Sequence, residues 1–192
     1  MHKFFKPNIN MKKLSIIALA VAFLCALGVS SCDKQKENEI NFTQWKLTAD
    51  NPLTITEISH DPAAAYPVCF NVKLENGMIV VEGSAAHPTE AALSNNLPDN
   101  PYPSVAVISD CGEMKGLAKI KEYPAADTYA ANQIAAVEHG YVVEAHGAAN
   151  INSYGIAALQ DPTSVYMRIW IEQEIEGGYN IRYEVPFYLP EE

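Results

Sequence analysis

The side chains able to do chemistry are few and scattered. Past residue 31 the chain holds four histidines, His60, His87, His139 and His146, and three cysteines, Cys32, Cys69 and Cys111. No two histidines form an H-E-x-x-H or H-x-H arrangement. His139 and His146 lie seven apart and would point to opposite faces of one strand, so they read as turn or surface histidines beside Gly140 and Gly147. No metal centre is expected, and no cofactor is implied. Ser153 in "NSYG" lacks the glycine that a G-x-S-x-G elbow places before its nucleophile. The glycines of "CGEMKG" lack phosphate-loop spacing, with no Lys-Ser or Lys-Thr after them, and suit a turn between strands. Two constellations stay open as chemistry. Cys111 and His139, with Asp110 nearby, have the types of a thiol, its base and an orienting acid. Glu172 and Glu174 share a strand face, but alternating Glu is the pattern of a solvated face, and Arg182 is expected to pair with Glu172. A glycosidase needs two convergent carboxylates, and spacing alone does not bring them together. No catalytic residue is assigned on this basis.

Cys32 differs, because its surroundings specify a modification. From Met11 the chain reads "MKKLSIIALAVAFLCALGVSSC": two lysines, an apolar run over residues 14–29, then Ser30 and Ser31 before the cysteine. The run is short for a membrane span and ends promptly in charge, the layout of a secretory signal. Small residues ahead of the cysteine resemble the lipobox of bacterial lipoproteins, where the cysteine sulfur is diacylated and the residue becomes the new N-terminus. The expected organisation is a signal peptide over residues 1–31, with Met11 as an alternative start, a flexible tether over 32–41, and one β domain over 42–192. The tether contains "DKQKENEI", which has too little apolar surface to fold. Cys25 then leaves with the signal and Cys32 carries lipid. Cys69 and Cys111 remain, either as thiols or as one disulfide in an oxidising compartment. The expected address is the cell envelope, lipid-anchored, on the outer membrane, with the leaflet open.

Residues 32–192 fit a single hydrophobic core. They hold all 23 acidic residues and nine of the 13 basic ones, leaving a net charge near −14. That surface disfavours nucleic acid and a polybasic grip on the membrane, and suits solubility at a crowded surface. The expected partners are the membrane, through the N-terminal lipid, and a glycan or an envelope protein.

Strands must position whatever site exists. In "YPVCFNVKLENGMIVVEG", Val68, Phe70, Val72 and Leu74 alternate with polar positions up to Asn76-Gly77, which favours a type I′ turn. With that pair as the loop, Leu74 faces Ile79 and Val72 faces Val81, so the apolar faces coincide. A second hairpin runs through "VYMRIWIEQEIEGGYNIRYEVPFYL". A three-residue loop over 176–178 aligns its apolar faces, pairing Ile171 with Tyr183 and Ile169 with Val185; Pro186 marks an edge or a departure from the sheet. On the other face the same register sets Tyr166 against Tyr188, with Arg168 and Trp170 alongside. Such a surface suits stacking on sugars or anchoring a protein, unless this face is buried too, with Trp170 under a loop. Residues 53–58, 104–109, 116–123 and 139–147 read as further strands, and 87–96 as a helical turn. Residues 125–137 read as an alanine-rich helix or a loop feeding a strand, and 97–103 as a turn-rich connection. The prediction is an all-β single domain, an antiparallel β-sandwich or small barrel, with at most one or two short helices.

Three segments carry a resemblance. Asp110, Gly112, Gly116 and Leu117 form D-x-G-x-x-x-G-L; residues 139–143 read H-G-Y-V-V; Arg168 to Ile171, with Tyr183, Pro186 and Phe187, form the closing hairpin. Together they resemble a group of Bacteroides-type lipoproteins of unknown function, over roughly the C-terminal half of the domain. Two departures are Cys111, where the pattern implies an apolar residue, and a lengthened loop over 147–164. The resemblance implies lineage and compartment, and brings no chemistry with it. The leading expectation is a non-catalytic binding module for a glycan or partner protein. The alternatives are a hydrolase built from Asp110, Cys111 and His139, and an assembly subunit marked by an open strand edge on the C-terminal hairpin.

Overall fold

The structure, a computed structural model, describes residues 42–59, 66–87, 102–147 and 164–189, all within the compact unit Asn41–Glu192. Its strands are β1 (Thr43–Thr48), β2 (Leu53–Ile58), β3 (Val68–Glu75), β4 (Met78–Ala86), β5 (Tyr102–Glu113), β6 (Asn132–Ile134), β7 (His139–Gly147), β8 (Val165–Ile175) and β9 (Gly178–Glu184). They pair antiparallel in the order β1-β9-β8-β7-β5-β4-β3-β2, with β6 against β4. Among the described residues there is no helix of seven residues or more, only 3-10 turns at Leu117–Lys119 and Ala126–Thr128. The all-β class is therefore present, as a nearly closed, barrel-like antiparallel sheet.

Closure follows from chain order. The two ends of the strand path, β1 and β2, are consecutive in sequence and joined by a tight turn bridged at Thr48 and Asn51. The Asn51 N–H donates to the Thr48 carbonyl at 3.2 Å, its side-chain amide donates to the Lys46 carbonyl at 2.6 Å, and the Trp45 indole donates to the Asn51 carbonyl at 3.3 Å. These bonds tie the open seam where ladder bonds run out.

The first hairpin has the expected register, with Val72 opposite Val81 and Leu74 opposite Ile79. Asn76 and Gly77 adopt φ of 50° and 76°, the positive values a type I′ turn needs. The second hairpin departs from expectation. Its turn is Glu176-Gly177, so Ile175 pairs with Gly178, and a bulge between Ile171 and Gln173 then shifts the register so that Ile171 meets Ile181 and Ile169 meets Tyr183. A two-residue turn alone would set Ile171 against Arg182. The extra residue in β8 restores the match of apolar faces that a three-residue loop would have supplied. The bulged Glu172 still reaches Arg182, at 3.0 Å. β9 is not an edge strand, since β1 covers it, and the chain leaves the sheet after Glu184.

Inward side chains form the main core, including Phe70, Ile79, Ile108, Met167, Ile169 and Ile181, all 0% exposed. Tyr141 lies among them with its hydroxyl satisfied: it accepts from the Ala136 N–H at 2.9 Å and donates to the Ile134 carbonyl at 2.8 Å. Burial pushes its ionisation up to about 12.

Of the weaker segments, 53–58 and 139–147 are strands as read, and 104–109 is the middle of the longer β5. Residues 125–137 are not an alanine-rich α-helix: they hold the 3-10 turn at Ala126–Thr128 and then β6 itself. Residues 116–123 are not a strand: Leu117 and Ile120 are both buried, and their three-residue spacing suits a 3-10 turn rather than the two-residue period of a sheet. The sequence pattern had not signalled β1 or β6. The lipidation cysteine Cys32, the tether, the helical turn after His87 and most of the 147–164 loop lie outside the described residues.

A candidate binding cleft beside a covered aromatic face

The outer face of β7 and β8 is not an open platform. Leu117, Ile120, Val142 and Phe187 form a second buried cluster there, with Phe42, Tyr166 and Trp170 packed against it. The strap over residues 114–125 lies across β8, and each side chain of the expected platform is engaged. Trp170 donates its indole N–H to the Met114 carbonyl at 3.0 Å. Tyr166 stacks on Tyr123 with ring centroids 3.9 Å apart. Arg168 donates to the Ile120 carbonyl at 2.7 Å and pairs with Glu184 at 2.6 Å, its guanidinium over the Phe187 ring at 4.5 Å. Tyr188, 37% exposed, does not oppose Tyr166, because the chain has left the sheet by then; the Phe187 N–H instead donates to the Tyr166 carbonyl at 2.7 Å. The platform expectation is corrected: two carbonyls of a turn that cannot join the sheet need donors, and Arg168 and Trp170 supply them.

The C-terminal hairpin also lacks the open edge expected of an assembly subunit, since β8 lies between β7 and β9, and β9 between β8 and β1.

Cys69 and Cys111 are thiols, not a disulfide. The Cys69 N–H donates to the Ser104 hydroxyl at 3.1 Å. Cys111 is seven residues further along β5, a distance of roughly 20 Å at strand rise and far beyond disulfide reach.

Asp110 and His139 do meet. β5 bulges between Asp110 and Gly112 against β7, leaving Cys111 as the unpaired residue. Asp110 Oδ1 accepts from the Gly112 N–H at 2.7 Å, with Gly112 at φ 83°, and His139 Nδ1 lies 3.1 Å from Asp110 Oδ2. Cys111 does not join them: it packs into the outer cluster, whereas His139 lies beside the inward-facing Tyr141. Burial first, then the charges of Asp110 and Glu122, push the Cys111 thiol up to about 11. A nucleophilic cysteine needs the opposite shift, so the hydrolase trio is not assembled. His60 and Ser153 lie outside the described residues, and among the described residues no group of three His, Cys, Asp or Glu is placed to hold a metal ion.

The same bulge and strap enclose a cleft of about 470 Å³. Asp110 and Cys111 of β5 line it, with Lys119, Lys121, Glu122 and Tyr123 from the strap and Thr128 beyond the strap. The Thr128 hydroxyl bonds Ser109 at 2.6 Å and donates to the Ala125 carbonyl at 2.7 Å, which ties this stretch to β5. Burial pushes the Tyr129 phenol up as well, and its hydroxyl has no partner among the described residues. The volume falls in the range of small-molecule sites, and the walls mix apolar surface with a few polar groups. Sequence reasoning missed this cleft. Its one visible signal was D-x-G followed by a second glycine, Gly116, at φ 107°, which together permit the bulge and the strap's sharp entry.

Compared with protein-family models, curated proteins and solved structures, the chain matches none.

Proposed function

We propose that this chain is a non-catalytic, lipid-anchored binding module of the cell envelope, on the outer membrane of a Bacteroides-like bacterium, and that it takes a glycan in the cleft between the β5 bulge and the 114–125 strap. The lipobox before Cys32 and the family resemblance support the address. The observation that carries the binding reading is the cleft itself. It is a small-molecule-sized recess on a rigid sheet, fixed by the Arg168, Trp170 and Thr128 hydrogen bonds, and its cysteine is held as a neutral thiol.

Ala125 lines the cleft and is exposed, so a large side chain there fills the recess without disturbing the core. On a glycan array, Ala125→Trp is expected to lose at least about tenfold in affinity for whichever saccharides the wild-type chain retains, at unchanged thermal stability. Full retention of binding by this variant removes the cleft as the site.

A further inference from the structure

The charge on the cleft is out of character with the rest of the domain. Residues 42–192 hold 20 acidic residues against seven basic ones, and three of those seven, Lys115, Lys119 and Lys121, fall within seven consecutive positions on the strap. Of the other four, Lys73 pairs with Glu82, Arg168 with Glu184, and Arg182 with Glu172, while the exposed Lys46 on β1 is in no ion pair among the described residues. Lys119 and Lys121, both exposed and both lining the cleft, are in no ion pair among the described residues. With nearly three acidic residues for each basic one, two unpaired lysines on one recess stand out.

The carboxylates on the cleft narrow the chemistry. Asp110 is already held by His139 and the Gly112 N–H. Glu122 lies close enough for its charge to act on Cys111 and remains an acceptor on the rim. A bare anion such as phosphate would meet the lysines but bring no separate hydroxyl donors for Glu122 and Thr128. A sugar ring bearing a carboxylate satisfies both, with its acid at the lysines, hydroxyl donors toward Glu122 and Thr128, and its apolar ring face against the half-buried Tyr123 and Pro124.

Resting on the reading of the cleft as a glycan site, we propose that its ligand is an acidic saccharide, with Lys119 and Lys121 as the residues that select the carboxylate. The test uses the full mature chain, titrated with a panel of uronic-acid oligosaccharides and their carboxyl-reduced, neutral counterparts, with inorganic phosphate as a further probe. The acidic sugars are expected to bind at least about tenfold more tightly than the reduced ones, with affinity falling as salt rises. The double variant Lys119→Gln, Lys121→Gln is expected to bring the acidic sugars down to the neutral level at unchanged melting temperature. Phosphate is expected not to displace them. Equal binding of acidic and reduced sugars, or indifference to the double variant, overturns the acidic selection and leaves a neutral-glycan cleft standing. Displacement by millimolar phosphate reassigns the lysines to a simple anion site and overturns the sugar component. Binding of neither sugar series overturns both the selection and the glycan reading beneath it.

Discussion

Trp170 shows how one residue's environment sets its role. Its indole N–H is held by the Met114 carbonyl and its ring packs under the strap with Leu117 and Ile120. Truncation therefore removes packing and orphans a carbonyl together. Trp170→Ala is expected to cost about 3 kcal/mol of stability, read as a lower urea midpoint with an unchanged slope. A variant that stays fully stable yet loses ligand would restore the open-platform reading. Cys111 illustrates the same dependence: placed by the bulge among apolar neighbours and two carboxylates, it is a poor nucleophile and a useful reporter of what fills the cleft.

Among the elements, the hairpin at Asn76-Gly77 was legible because the turn chemistry and the two-residue period point to the same register. The C-terminal hairpin was legible only in parity. Its apolar residues require the faces to coincide, but a longer loop and a bulge at Glu172 satisfy that requirement equally, and no residue type marks the bulge. The strap was misread because Leu117 and Ile120 contribute too few apolar positions to separate a period of three from one of two. β6 escaped notice because three residues over Asn132–Ile134, two of them polar, carry no alternation to detect. The candidate site was the least legible part. Asp110 and Cys111 reach it through a bulge, and Lys119 to Thr128 through a strap that folds back over β8, so the lining depends on tertiary packing that local spacing does not encode. The proximity of Asp110 and His139 was anticipated as chemistry, and the exclusion of Cys111 from that pair comes from the alternation of faces along β5 and β7.

For the whole molecule, a lipid on Cys32 is proposed to anchor the acidic barrel-like domain. Cells grown with labelled palmitate are expected to show label on the wild-type chain and none on Cys32→Ser, which should leave the membrane fraction. Label that persists in the variant, or never appears in the wild type, removes the anchor. Binding through the cleft is the central claim, and Cys111 reports on it in the intact chain. Alkylation by iodoacetamide at about pH 9, read peptide by peptide by mass spectrometry, measures access to that thiol. With a retained saccharide bound, alkylation at Cys111 is expected to slow at least about fivefold, while the buried Cys69 peptide stays unchanged. A saccharide that binds the chain and leaves the Cys111 rate where it was would place the ligand elsewhere and contradict the account.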